Sequence, residues 1–352
     1  LEHLKDSESL LRALRPLCLP HAQLVCCIPN MGHFSVLDRL LQADMSYDDE
    51  GLLDRTHVRF FTLSSAIKCL LDGGWLPQLV DQITLVGKDD VSNQRWLELS
   101  LAQGLTEEAA CTNLFSFQFV FSCELQEALS PAPPERLSVV LPIRTPRIAR
   151  LNLLKSPGLR ELSCQIIPIQ AGESAAQSLQ EASQKVQGDW ILMASDELYL
   201  PKGSGIALNH ALSQIPISDK RKTLMGLAGV GLDSNSTAFD SGLLATPRSL
   251  SNGPMSPSAL SMEDCGILVS RDSIHSLDPE MGWHHWATEL CLRALQDPRV
   301  NAGRILRVPA FHNSIHTLST TQEKADASAL RLLEKHSNNP ALHVLRQALQ
   351  AA

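Results

Sequence analysis

The sequence predicts an α/β protein in two units, the second built on a mainly parallel sheet. Three observations point there. First, the runs at 137–142 (LSVVLP), 164–169 and 190–193 are apolar and of strand length. Second, a segment of helical spacing at 175–186 lies between the last two, and strand–helix–strand order is the mark of parallel pairing. Third, the proline-rich stretch ALSPAPPER at 128–136 stops both helix and central strand. A chain of 352 residues is long enough for two domains, and this stretch divides it.

In the first unit, Leu10, Leu11, Leu14 and Leu17 recur at helical spacing over 7–17, and Pro20 follows. Residues 23–28 read as a strand broken by Pro29-Asn30, and 36–41 as a short amphipathic helix. Thr62 is placed to cap a helix running to Leu71 and closed by Gly73-Gly74-Trp75. Residues 79–86 and 115–123 read as two more strands, the second an edge or antiparallel strand.

In the second unit, Ser156-Pro157-Gly158 reads as a turn and Ser174 as a helix cap. Residues 206–215 form an amphipathic segment, and the small residues of 226–232 a strand. The Ser-, Asn-, Gly- and Pro-rich stretch 234–258 reads as a long loop of the kind that serves as a lid. A strand at 267–269, a helix in the second half of 278–292 and two polar-faced helices beyond 320 complete the order, the last two separated by Asn338-Asn339-Pro340.

Composition bounds the function. A net charge of −8 argues against a nucleic-acid partner held by general electrostatics. No apolar run approaches the ~20 residues of a transmembrane helix. No signal-peptide pattern opens the chain, which starts at Leu1 as if cut within a domain. Nine cysteines without a C-x-x-C spacing indicate reduced thiols and a cytoplasmic protein.

The chemistry concentrates at 190–201, WILMASDELYLP. Two acids, Asp196 and Glu197, end a buried strand, where open α/β sheets bind ligands. A carboxylate pair there suits a divalent cation and, through it, phosphates; a surface turn with two solvated acids is the alternative.

Two resemblances add to this. The motifs LEHLKD, LVCCIPN, LDRTHVRFFT and DGGW, within residues 1–125, resemble the C-terminal half of a class I S-adenosylmethionine-dependent methyltransferase. That resemblance implies a truncated Rossmann-like half domain, with Glu2, His3, Asn30 and His57 as the pocket remnant. The family's Gly-rich turn is absent from these residues, so S-adenosylmethionine binding is expected only with an upstream half. Capping, packing or ion-paired bracing is the alternative for each of the four.

After a 126–136 linker, SVVLP, SDELYLP, GWHHWATELCL and FHNS over 137–318 resemble a family-2-like glycosyltransferase of the GT-A type, with 319–352 as a helical tail. The resemblance implies a nucleotide-sugar donor, a glycan or surface-polysaccharide acceptor and a divalent metal, Mn or Mg. It casts Asp196, Glu197 and His312 as the metal and nucleotide-sugar residues and Glu289 as the catalytic base. Trp283, His284, His285, Trp286, Glu263 and Asp264 are expected at the acceptor or sugar platform. Against these stand a solvated face for Glu289, packing or capping for the two histidines, strand closure for His312 and an exposed turn for Glu263 and Asp264. A degenerate binding module, or a methyltransferase completed upstream, is the alternative function.

Overall fold

The buried strand at the heart of the second unit follows from its sequence. Trp190 to Ala194 are all buried, as an unbroken apolar run must be in a sheet covered on both faces. The computed structural model describes residues 1–85, 91–216, 223–235, 237–271, 277–296, 303–315 and 320–351. The chain divides into one unit of Leu1–Ala128, Ala245–Leu250 and Asn313–Leu318 and a second made of the rest.

The first unit contains α1 (Ser7–Leu14), β1 (Gln23–Pro29), α2 (Phe34–Leu41), α3 (Leu63–Asp72), β2 (Trp75–Ile83), α4 (Val91–Ala102), α5 (Glu107–Phe115) and β3 (Gln118–Leu125). Its sheet has the order β1-β3-β2, with β3 antiparallel to both neighbours. Phe119, Phe121 and Cys123 alternate along β3 into the covered face. Thr62 and Ser65 form a capping box at the start of α3. Gly74, at φ +81°, turns the chain into β2, and Trp75 Nε1 donates to the Leu11 carbonyl at 3.0 Å. The strand expected at 115–123 starts later because Phe115 ends α5, and it lies at the centre of the sheet, not its edge. The strand expected at 79–86 starts earlier, at Trp75; Val86 lies outside the described residues. Neither α4 nor α5 was expected, for their apolar residues fall all round the helix without a stripe.

The second unit opens with β4 (Leu137–Ile143), α6 (Pro146–Leu151), α7 (Pro157–Arg160), β5 (Cys164–Gln170), α8 (Ala175–Ser183), β6 (Trp190–Ala194), β7 (Leu198–Tyr199) and α9 (Ser204–Ser213). It continues through β8 (Leu224–Gly226), β9 (Ala228–Leu232), β10 (Ala238–Ala245), β11 (Leu250–Asn252), β12 (Ala259–Met262) and β13 (Gly266–Ser270). It closes with α10 (Trp286–Gln296), β14 (Arg304–Ile305), β15 (Ala310–His312), α11 (Thr320–Lys335) and α12 (Pro340–Ala351). The main sheet has the order β14-β8-β13-β6-β4-β5. Strand β4 is parallel to β5 and β6, β14 is parallel to β8, and β13 runs against both of its neighbours. One face carries α8 residues such as Leu179 and Ala182; the other carries α9 residues such as Leu208 and Leu212. Ser174 caps α8 by accepting from Gln177 N.

Three expectations are corrected here. The strand read at 226–232 divides at Leu227, leaving β8 in the main sheet and β9 in a second sheet of order β12-β9-β10-β15-β7. The stretch 234–258 is not one loop, because it holds β10 and β11, and β10 pairs antiparallel with β9. Its glycines serve close backbone approach: at Gly242, φ +99°, a Cβ would stand 2.3 Å from the Leu227 carbonyl oxygen. The turn read at 156–158 instead starts α7, with Pro157 at its first position.

Leu192 is fully buried in the middle of the main sheet. Leu192→Ala is expected to lower unfolding free energy by about 2–5 kcal/mol, measured by urea denaturation, as a large-to-small change in a packed core does.

Candidate functional site

Parallel pairing sets Leu137 beside Trp190 and Val140 beside Met193, so β4 and β6 end on the same side of the sheet. Strand β5 lies on the other flank of β4, so the connections diverge at β4. Such a switch point leaves a crevice beyond the C-terminal strand ends. Arg144 and Thr145 leave β4 there, and Ser195, Asp196 and Glu197 leave β6.

Asp196 is 1% exposed, and its carboxylate is fully engaged. One oxygen accepts from the backbone amides of Arg144 and Thr145, each at 3.1 Å. The other accepts from Arg144 Nε at 3.2 Å and Nη2 at 2.6 Å. Nη2 also reaches Ser195 Oγ at 3.2 Å and Glu197 Oε2 at 3.4 Å. Strand β15 runs antiparallel to β7 with His312 opposite Leu198, which sets His312 Nε2 3.5 Å from Glu197 Oε2. Burial alone would lower the Arg144 pKa; the charge and hydrogen bonds of Asp196, then those of Glu197, hold it above its usual value. His284 is pushed down, first by burial, then by His285 and Arg144, so it feels the same cation.

The structure sets His312 against Glu197, next to Asp196, while Arg144, in the polar turn after the first strand, was not among the expected site residues. The available signal was its position directly after the first parallel strand. The metal expectation meets a physical obstacle. A divalent cation needs free carboxylate lone pairs, and four N–H donors leave Asp196 none. Asp196 and Glu197 therefore do not fit as a paired metal grip.

The platform residues separate. Trp286 is 3% exposed and packs in the core with Leu290 and Met281, so it offers no face to a sugar. Trp283 is half-buried, its Nε1 donating to the Gly172 carbonyl at 2.8 Å. Asp264 caps α10, accepting from His285 N at 2.9 Å and Ala287 N at 3.2 Å. His285 takes φ +58° at that cap. Glu263 is exposed beside it. Glu289 is 1% exposed and enclosed by two cations, Arg293 Nη2 at 3.0 Å and Lys335 Nζ at 2.7 Å, with His336 Nε2 at 3.6 Å. It is neither a solvated acid nor an open base. In the first unit, Asn30 is a backbone brace, donating to the Asn113 and Ser116 carbonyls and accepting from Gly32 N. It does not join Glu2, His3 and His57, which do converge.

No protein-family profile matches this chain, and no curated protein matches it. Among solved structures it is similar to GalNAc-T7 with UDP, GalNAc and Mn2+, at 12% identity and TM-score 0.38, over 72% of this chain and 57% of that one. It is similar to mannosyltransferase PcManGT from Pyrobaculum calidifontis in complex with GDP-Man and Mn2+, at 9% identity and TM-score 0.38, over 62% and 72%. HddC from Yersinia pseudotuberculosis follows at 9% identity and TM-score 0.29, over 57% and 78%. The chain thus spans little more than half of the GalNAc-T7 chain, and at these TM-scores the likenesses decide nothing.

Asp264 gives the protein a pH signature. Burial pushes its pKa up to about 7, opposed by the amides of Ala287 and His285 and helped by Glu263. Between its unfolded value, about 4, and 7, the folded state holds the proton and the unfolded state releases it. Its contribution is therefore complete below about pH 4 and lost as pH rises through 7. Urea denaturation from pH 4 to 8 is expected to show a fall in stability that is flattened in Asp264→Asn.

Proposed function

We propose that the second unit is a nucleotide-sugar-dependent glycosyltransferase domain whose donor lies across the C-terminal ends of β4 and β6. The grouping of Arg144, Asp196, Glu197 and His312 at the switch point carries this reading. Sugar transfer breaks the bond from the anomeric carbon to a diphosphate, which departs with added negative charge. Arg144 supplies positive charge at that place: its side chain is 45% exposed on one side and anchored to Asp196 on the other. An anchored guanidinium presents its remaining N–H donors to phosphate oxygens without having to be ordered first. Asp196 then acts as a positioning residue.

The acceptor hydroxyl must lose its proton to a base. Glu289 is committed to Arg293 and Lys335, which leaves the exposed Glu263 as the acid available for that role. A glycan acceptor accords with the resemblance of the four motifs.

A non-catalytic binding module is the second reading, favoured by the enclosure of Glu289 and the saturation of Asp196. For the first unit, S-adenosylmethionine binding by this chain alone is not proposed, since residues 1–128 supply no Gly-rich turn. A cytoplasmic location is proposed on the nine unpaired thiols; no described helix is long and apolar enough to cross a membrane.

Calorimetric titration of UDP and GDP, with and without Mn2+, separates these readings. The transferase reading expects one nucleotide to bind without added metal, Arg144→Ala to weaken it at least tenfold, and the matching nucleotide-sugar to be consumed when acceptor is supplied. Binding without turnover supports the module. Absence of binding by folded protein contradicts both.

A further inference from the structure

The first unit carries a cluster of metal-ligand type that stands whether or not the second unit transfers sugar. Glu2, His3 and His57 each offer a donor atom, and these atoms lie within 4.8 Å of one another. The backbone brings them together: the Glu2 carbonyl accepts from Val58 N at 2.9 Å and Arg59 N at 3.0 Å, tying the 1–3 segment to the 57–59 segment. The two imidazole rings meet edge to face, centroids 4.9 Å apart.

Hydrogen bonding fixes both tautomers. His57 Nδ1 lies 3.1 Å from the Leu52 carbonyl, which only accepts, so Nδ1 carries the proton and Nε2 keeps its lone pair. His3 Nδ1 lies 3.2 Å from the Thr56 carbonyl and 3.1 Å from Thr56 Oγ1. The Thr56 hydroxyl gives its proton to Asp54 at 2.7 Å, so it too accepts from His3. In the neutral rings Nε2 is then the ligand atom of each, held by an Nδ1–H bond to oxygen, the arrangement that orients metal-binding histidines. The third donor is Glu2 Oε1, 3.7 Å from His3 Nε2.

We propose that Glu2, His3 and His57 bind a divalent first-row transition-metal cation, with Zn2+ as its reference probe. Two imidazoles and one carboxylate form a ligand set that Zn2+ accepts with a position left open. Bonds of about 2.0–2.2 Å require donors about 3.3–3.6 Å apart, so the cluster must close by roughly 1 Å. The rotation falls to His3, whose side chain is 53% exposed, while His57 stays fixed.

The test uses the whole chain, stripped of metal by a chelator and titrated with Co2+ while visible absorption is followed, then challenged with Zn2+. One Co2+ per chain is expected, displaced by Zn2+ and weakened at least tenfold in His3→Ala and in Glu2→Gln. His3 is exposed, so its variant keeps the fold, which circular dichroism checks; His57→Ala, at a buried position, is the secondary variant. Unchanged Co2+ affinity in folded His3→Ala, loss of the signal in His312→Ala instead, or no binding by the folded wild type would each overturn the proposal.

Discussion

The arrangement at the strand ends depends on one carboxylate. Asp196 sits at the end of a strand buried on both faces, where an unpaired charge would be intolerable. Two amides from the turn after β4 and two N–H groups of Arg144 satisfy it. These bonds fix the course of the chain out of β4 and hold Arg144 over the crevice, where it meets Glu197. His312, delivered by β15, completes the group from the far side of Glu197. Structure and proposed chemistry thus share a cause: the group that neutralises the buried acid is the one offered to a diphosphate.

Three acids of this unit are stabilised in different ways, and each sets what its residue is able to do. Asp196 is paired with a guanidinium that also faces solvent, so it positions. Asp264 accepts two amides at the start of α10 with no cation among its described hydrogen-bond partners, so its proton is retained to about pH 7. Glu289 lies between Arg293 of its own helix and Lys335 and His336 at the end of α11, so it fastens the helical tail to α10. Removing one partner of such a buried cluster leaves an uncompensated charge, which is why its main role is structural.

Much of this was legible in the sequence. The apolar runs at 137–142, 164–169 and 190–193 became neighbouring parallel strands because continuous hydrophobicity admits few other placements. The histidine at 312 lies against Glu197, one of the two acids that end β6. What stayed hidden depends on partners distant in sequence. Lys335 and His336, more than 40 residues from Glu289, decide that it is caged. Trp286 reads equally well as a platform or as core until the residues opposite it are known. β10 escaped notice because it lies in a stretch rich in Ser, Gly and Pro that resembles a loop, while its one glycine, Gly242, serves close approach to Leu227 and Ala228.

Crystallisation of the chain with UDP or GDP tests the central claim most directly. The account predicts diphosphate density against the Arg144 guanidinium, with Asp196 still bonded to Arg144 and Thr145 and with Glu197 and His312 at its edge. A nucleotide bound elsewhere, such as along α8 beside Gln177 and Gln180, or diphosphate density with no contact to Arg144, would contradict it.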